Sequence, residues 1–280
     1  MINTAIENQQ LKPGDTIVEA SSGNTGIAIA YYARIMGYKA VIYVSQSCSK
    51  EKLDELSALE AEVVVCANSN GISDQQSTQY RARQYADTHK NAFYTDQYNN
   101  DANFRAHLTT TGPEIWEQTH QRITHFFGGL GTGGTLSGVG TFLKKQNSAV
   151  EIVGVEPVGS VLSHFKTYGK MPNWVPVMDK ISGIGRTFVP GVFDPQVLDR
   201  ILQVRASRAK ELAETYFKET GNCVGFSSAA VLCGLEDYMQ QTGVRDHSTV
   251  VLLFADHGTR YKELLYSHLN VDQTEDYANT

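Results

Sequence analysis

The sequence predicts an α/β protein of two lobes, with parallel sheets flanked by helices in the manner of a doubly covered α/β fold. Three observations predict it. Strand-like apolar runs alternate with helical runs along nearly the whole chain. Loops of small residues stand where strand gives way to helix. The 280 residues, 41% hydrophobic and 19% charged, supply core enough for one large domain or two smaller lobes.

In chain order, TIVEA (Thr16 to Ala20) breaks into Ser-Ser-Gly-Asn-Thr-Gly and continues as the helical run TGIAIAYYARIMG. KAVIYVS then leads to KEKLDELSALEA, EVVVCA to SDQQSTQYRARQYADTH, and NAFYTDQ to a polar, Asn-rich connection at Asn99 to Asn103. A single helix is expected over RAHLTTTGPEIWEQT, followed by the strand ITHFFGG, the helix TLSGVGTFLKKQ and the strand EIVGVEP. From Gly159 to Gly185 the alternation loosens into a long irregular segment, of the kind often kept for function. DRILQV, SRAKELAETYFKETG, CVGFSSAAVLCGLEDYMQQ and STVVLLFAD restore it. The expected organisation is a smaller lobe over 1–103, a larger lobe over 104–268 carrying a phosphate-binding loop, and a polar tail over 269–280. No internal repeat is evident in the sequence.

Composition excludes several classes of function. A net charge of −6 without a long basic run argues against general nucleic-acid binding. Cys48, Cys66, Cys223 and Cys233 are scattered, with no CxxC and no paired-histidine motif, so neither a metal site nor a disulfide frame is expected. MINTAIENQQ resembles neither a signal nor a transit peptide, and no apolar run reaches membrane length, so the expected location is cytoplasmic.

The chemistry gathers at three loops. In Ser21 to Gly26, hydroxyls and an amide beside a helix start can hold an anion or a carbonyl oxygen; the plain alternative is a helix cap with glycine turns. In Gly128 to Gly140, Gly131, Gly133 and Gly134 let the backbone wrap an anion at a helix N-terminus, and Thr132 and Thr135 add hydroxyl donors. Gly129, Gly131 and Gly134 also satisfy GxGxxG, and Glu156 at the end of the next strand could accept a ribose hydroxyl, which keeps an NAD-dependent dehydrogenase open. That reading leaves Ser21 to Gly26 unexplained. In Cys223 to Val231, another apparent strand-to-helix break, Ser227 or Ser228 alone would pass for a helix cap.

SSGNTG, TTTGPEIWEQT, GLGTGGTLSG, GVEPVGSVL, KISGIG and VGFSSA stand in the order and approximate spacing of a known family. From about Met1 to about Tyr261 the chain resembles the pyridoxal-phosphate-dependent cysteine synthase and cystathionine β-synthase family. The resemblance implies the tryptophan-synthase-β-like fold (fold type II), a two-lobed homodimer with pyridoxal 5′-phosphate between the lobes, and an amino-acid substrate. It further implies that Gly131, Thr132, Gly133, Gly134 and Thr135 cradle the cofactor phosphate and that Asn24 bonds the pyridine 3′-oxygen. Ser227 would face the pyridine nitrogen. Ser21, Ser22 and Thr25 would close on the substrate carboxylate together with Gln97, Ser21 standing where the family usually has threonine.

The family's Schiff-base lysine precedes the Ser-Gly-Asn-Thr-Gly loop, in a segment that MINTAIENQQLKPGD matches only from the helix after it. No residue of the chain takes the catalytic lysine's place: Lys12, in the turn LKPGD, reads as a surface lysine. The expectation is a truncated enzyme with intact cofactor loops and poor turnover; the alternative is a non-catalytic relative that binds a ligand or a partner. Glu60 and Ala229 stand where the family usually has glycine, and Ala255 and His257 also depart from its pattern. His257 reads as a loop histidine. GVEPVGSVL and SKEKLDELSALEAEV lean toward the cystathionine β-synthase branch, while the length suits cysteine synthase equally.

Overall fold

The computed structural model describes residues 1–67, 71–72, 74–244 and 246–269; the polar tail expected over 269–280 lies, but for its first residue, outside the described residues. The chain forms two compact units, Met1–Asn103 and Phe104–Thr280.

The first unit is built on a four-stranded parallel sheet of β1 (Thr16–Ala20), β2 (Lys39–Ser45), β3 (Glu62–Cys66) and β4 (Ala92–Tyr94) in the order β3-β2-β1-β4. Period-two alternation sends Ile17, Ile42 and Val44 to one face, against α1 (Ile2–Glu7), α2 (Asn24–Ile35) and α3 (Lys50–Ala58). Val18, Ala20, Val41 and Tyr43 go to the other, with Ala82 of α4 (Thr78–Thr88). β1 is buried along its whole length, as a central parallel strand must be. The strand expected at NAFYTDQ pairs only over Ala92–Tyr94.

The second unit repeats the plan. β5 (Ile123–Gly129), β6 (Glu151–Pro157), β7 (Arg200–Val204) and β8 (Thr249–Leu252) form a parallel sheet in the order β7-β6-β5-β8. Phe127, Val153 and Val155 pack with α9 (Ala206–Thr220) and α10 (Phe226–Gln241), while Phe126 and Ile152 pack on the opposite face with α7 (Gly134–Gln146) and α8 (Leu162–Tyr168). Numbered within each unit, both sheets run third, second, first, fourth. This correspondence has no counterpart visible in the sequence.

Three expectations are corrected. The helix over RAHLTTTGPEIWEQT is α5 (Asp101–Ala106), a π-helical turn at His107–Thr111, and α6 (Gly112–Gln118). The irregular stretch of Gly159 to Gly185 contains α8. Cys223 and Val224 belong to no sheet strand; Val224 makes only an isolated antiparallel bridge with His257.

Candidate functional site

In both sheets the helix that follows the first strand (α2, α7) and the helix that precedes the fourth (α4, α10) lie on opposite faces, and in folds so wound ligands are expected in a crevice at the C-terminal ends of those two strands. In the first unit that crevice lies between β1 and β4. In the second it lies between β5 and β8. Two of the three glycine- and serine-rich loops start there.

Ser21 to Gly26 follows β1. Gly23 is the N-cap of α2 and no side chain caps it, so neither serine of the loop serves as the cap. Ser21 Oγ instead accepts the Gly23 N–H at 3.3 Å, and Ser22 Oγ accepts the Ser45 N–H at 2.9 Å, fastening the loop to the end of β2. Asn24 opens α2 and is exposed. Thr25 Oγ1 donates to Gln97 Oε1 at 2.9 Å, bringing together two predicted residues 72 positions apart. Asn103 Nδ2 fixes the Gln97 carbonyl at 2.8 Å.

Beneath this loop lies a residue that sequence reasoning missed. Glu19, the penultimate residue of β1, is fully buried. Oε1 accepts the Ala20 N–H at 2.7 Å, while Oε2 accepts the Thr95 hydroxyl and, at 3.4 Å, the Gln97 N–H. Burial pushes its carboxyl up to about 7, against the opposing pull of these three donors. The available signal was a carboxylate inside an otherwise apolar central strand.

Gly129 to Thr135 follows β5. Gly133, the N-cap of α7, has φ of 88°, a left-handed conformation that a side chain resists. A Cβ there would also sit 2.8 Å from that of Phe193. The Gly134 N–H donates to Thr132 Oγ1 at 3.3 Å, and Thr135 Oγ1 meets His107 Nε2 at 3.0 Å. His107, also missed, is fixed on its other side by Thr111 Oγ1 at 3.0 Å, and burial lowers its pKa, so the imidazole is neutral at pH 7. The segment KISGIG lies against this loop, the Gly185 N–H donating to the Leu130 carbonyl at 2.8 Å.

The dehydrogenase reading loses its acidic residue here. Glu156 is fully buried and accepts from Ser160 Oγ at 2.6 Å, the Ser163 N–H at 3.0 Å and Gln203 Nε2 at 3.0 Å, which leaves it engaged within the fold rather than turned to a ribose.

Ser227 and Ser228 lie in the first turn of α10, and Gly225 rather than either serine takes the cap. Ser228 is fully buried, and its hydroxyl has no hydrogen-bond partner among the described residues. His257 caps a 3-10 turn, Gly258–Tyr261, by accepting the Thr259 N–H at 3.3 Å. Lys12 is exposed in the turn before β1, its N–H bonded to Asp15 Oδ2 at 2.8 Å. It therefore stands at the opposite end of a five-residue strand from Ser21, about 16 Å along its length.

A phosphate-bearing cofactor fits the second unit. The positive end of α7 carries a glycine cap, flanked by the Thr132 and Thr135 hydroxyls. A Cβ at Gly131 would come 2.6 Å from the Gly183 carbonyl oxygen, so the loop is packed as tightly as backbone alone allows. The orphaned hydroxyl of Ser228 marks a further polar position at the start of α10.

Comparison with known proteins agrees with this geometry. A family model described as pyridoxal-phosphate dependent enzyme matches residues 1–256. Cysteine synthase from Staphylococcus aureus is 36% identical over 262 residues, 93% of this chain and 80% of the relative. Cysteine synthase B from Escherichia coli is 32% identical, over 93% and 79%. Among solved structures, O-acetyl serine sulfhydrylase isoform 3 from Entamoeba histolytica superposes with a TM-score of 0.82 at 30% identity, covering 96% of this chain and 77% of that one. An O-ureido-L-serine synthase superposes at 0.83 and 30%, covering 99% and 83%.

Proposed function

The chain belongs to the pyridoxal-phosphate dependent enzyme family, and on that premise we infer a site for β-replacement on L-serine or an O-activated L-serine, with sulfide or a thiol as nucleophile. The cysteine synthase type, with O-acetyl-L-serine and sulfide, is the substrate pair favoured by the relatives' names. Pyridoxal 5′-phosphate, when bound, supplies the electron sink that lets the α-proton and the β-substituent leave.

The backbone of Gly131, Gly133 and Gly134 and the hydroxyls of Thr132 and Thr135 hold the phosphate. Asn24 is assigned to the 3′-oxygen of the ring and Ser227 to its nitrogen. A neutral serine does not protonate that nitrogen, which favours elimination at the β-carbon over a deeper carbanion sink. Ser21, Ser22, Thr25 and Gln97 bind and orient the substrate carboxylate.

The observation that carries this reading is the Thr25–Gln97 hydrogen bond at the crevice of the first sheet. With Thr25 as donor to Oε1, both N–H bonds of the Gln97 amide stay available to a carboxylate. With the amide turned over, the Thr25 hydroxyl stays available. Either assignment leaves a donor.

The covalent role is assigned to no residue of this chain, since Lys12 stands at the wrong end of β1. The 280-residue chain is accordingly expected to take up cofactor without a covalent link and to turn over slowly. A homodimer in the cytoplasm belongs to the same proposal. It is supported by the family resemblance and by four cysteines that are all free, and no helix among the described residues is long and apolar enough to cross a membrane.

The test is a visible spectrum with added pyridoxal phosphate, before and after borohydride reduction, beside an assay of cysteine formation from O-acetyl-L-serine and sulfide. Bound cofactor that washes away after reduction, with weak turnover, is the expected result. Failure to bind pyridoxal phosphate overturns the reading. Homocysteine supplied in place of sulfide separates the cystathionine β-synthase alternative.

A further inference from the structure

Glu19 is buried within the unit that holds the Ser21–Gly26 loop, and its role rests on that loop being the one that receives the substrate carboxylate. Every group bonded to its carboxyl is a donor: the Ala20 N–H on Oε1, and the Thr95 hydroxyl and Gln97 N–H on Oε2. That set suits an anion. The Thr95 hydroxyl, however, also lies 3.1 Å from the Val18 carbonyl. It can turn its proton to that carbonyl and accept one from Oε2 instead, so a neutral Glu19 is equally well bonded apart from the long contact with the Gln97 N–H. Two hydrogen-bond arrangements, one per protonation state, therefore exist around a single side chain, differing by the long Gln97 N–H contact.

The anionic arrangement lies behind a loop that would receive another anion. Glu19 Oε2 touches the backbone of Gln97, whose side chain is paired with Thr25. Two carboxylates so placed in a buried setting cannot both remain ionised without mutual cost. We propose that Glu19 is a positioning residue that takes up one proton when a carboxylate ligand occupies the Ser21–Gly26 loop. The proton passes from solvent to Oε2, an O–H bond forms there, and the Thr95 hydroxyl swings from Oε2 to the Val18 carbonyl.

The surroundings leave Glu19 as the group that responds. Asp96 acts on it as a second negative charge, but is itself paired with Arg83 at 2.5 Å. The Tyr94 phenol is held above its usual range by burial and by Glu19 and Asp96, and stays neutral. Arg81 of α4 turns to Tyr43 and Cys66. Three helices pack on the Glu19 face: Glu7 of α1 and Arg34 of α2 are exposed, and the charged residues of α3, Lys50, Glu51, Lys52, Asp54 and Glu55, are exposed or half-buried, none of these acting on the Glu19 carboxyl. Burial holds the carboxyl near 7, so proton uptake falls in an accessible range.

The probe is 3-hydroxypropionate, which is L-serine without its amino group and therefore brings no titrating amine. Its binding to the cofactor-loaded chain is measured by calorimetry at pH 7.5 in phosphate and in Tris, whose different ionisation heats reveal proton uptake. The wild type is expected to take up more than about half a proton and to bind roughly tenfold more tightly at pH 6 than at pH 8. Glu19→Gln is expected to bind with no uptake and no pH dependence over that range, an outcome that a merely structural role would not give. Binding without uptake, or equal uptake in the variant, overturns the role of Glu19 alone. No binding by the wild type, of either 3-hydroxypropionate or L-serine, overturns it together with the reading of the loop. Should Glu19→Gln fail to fold, a carbon-13 titration of the wild-type glutamate carboxyls decides. A Glu19 midpoint that rises with ligand sustains the proposal, and an unmoved one overturns it.

Discussion

Single side chains decide the proposed site. Removing the Thr25 hydroxyl with Thr25→Val frees Gln97 to rotate and deletes a donor, so the KM for the amino-acid substrate is expected to rise about tenfold, the cost of one hydrogen bond to a charged group. Cofactor affinity should change little. Glu19 makes a second prediction, on stability. Its folded-state pKa, about 7, lies above the ordinary carboxyl value, so the native protein binds the extra proton between the two. Its contribution is fully present at pH 4 and is lost as pH rises through 7, on the order of 3 kcal/mol at most. Thermal melts should therefore show Glu19→Gln more stable than the wild type at pH 8 and nearly equal to it at pH 5. Thr25 and Gln97 were each named from the family resemblance, but their contact across 72 positions was not legible in the sequence. Glu19 was not legible either, because its setting depends on Thr95 and Gln97, which follow β4 and lie 76 and 78 positions further along the chain. His107 was hidden for a similar reason, since its partner Thr135 lies 28 residues on.

At the scale of elements, strands and helices were legible wherever periodicity and length agreed, and less so where tertiary contact overrode them. The π-helical turn at His107–Thr111 interrupts a sequence that reads as one helix. It packs against α7 at Gly138, where a Cβ would lie 2.8 Å from that of His107, and this approach brings His107 to Thr135. Glu60 shows the converse, a departure visible in the sequence whose reason lies in the backbone. It follows α3 with φ of 61°, the left-handed conformation that suits glycine, and its ion pair with Arg34 at 3.0 Å is exposed and worth little. Glu60→Gly is expected to stabilise the protein by about 0.5–1 kcal/mol, read as a rise of roughly 1–2 °C in Tm. Gly133→Ala goes the other way. It forces a side chain into the left-handed region against Phe193 and is expected to weaken pyridoxal phosphate binding at least tenfold, measured by spectroscopic titration.

For the molecule as a whole, composition and alternation made the α/β class legible, but the shared strand order of the two sheets was not, because topology can recur after sequence likeness has gone. In that order the Gly129–Thr135 loop, proposed to hold phosphate, and the Ser21–Gly26 loop each follow the first strand of a sheet. A ligand held at such a loop binds only the folded unit, so pyridoxal phosphate at a hundred times its Kd should add about 2.7 kcal/mol to stability. A Tm that does not move with cofactor concentration would contradict the assignment of the loop.

The fourth strand in each sheet also sets a sequence in time. β1 is made early, yet the edge beside Ser21–Gly26 is bare until β4 arrives, and β5 waits for β8 across 125 residues. Loop closure over such distances is slow compared with pairing of the consecutive strands, so each crevice is the last part of its sheet to assemble. On the ribosome, a partly made chain would hold three paired strands and no pocket. Ligand capture then comes after folding and cannot guide its early steps.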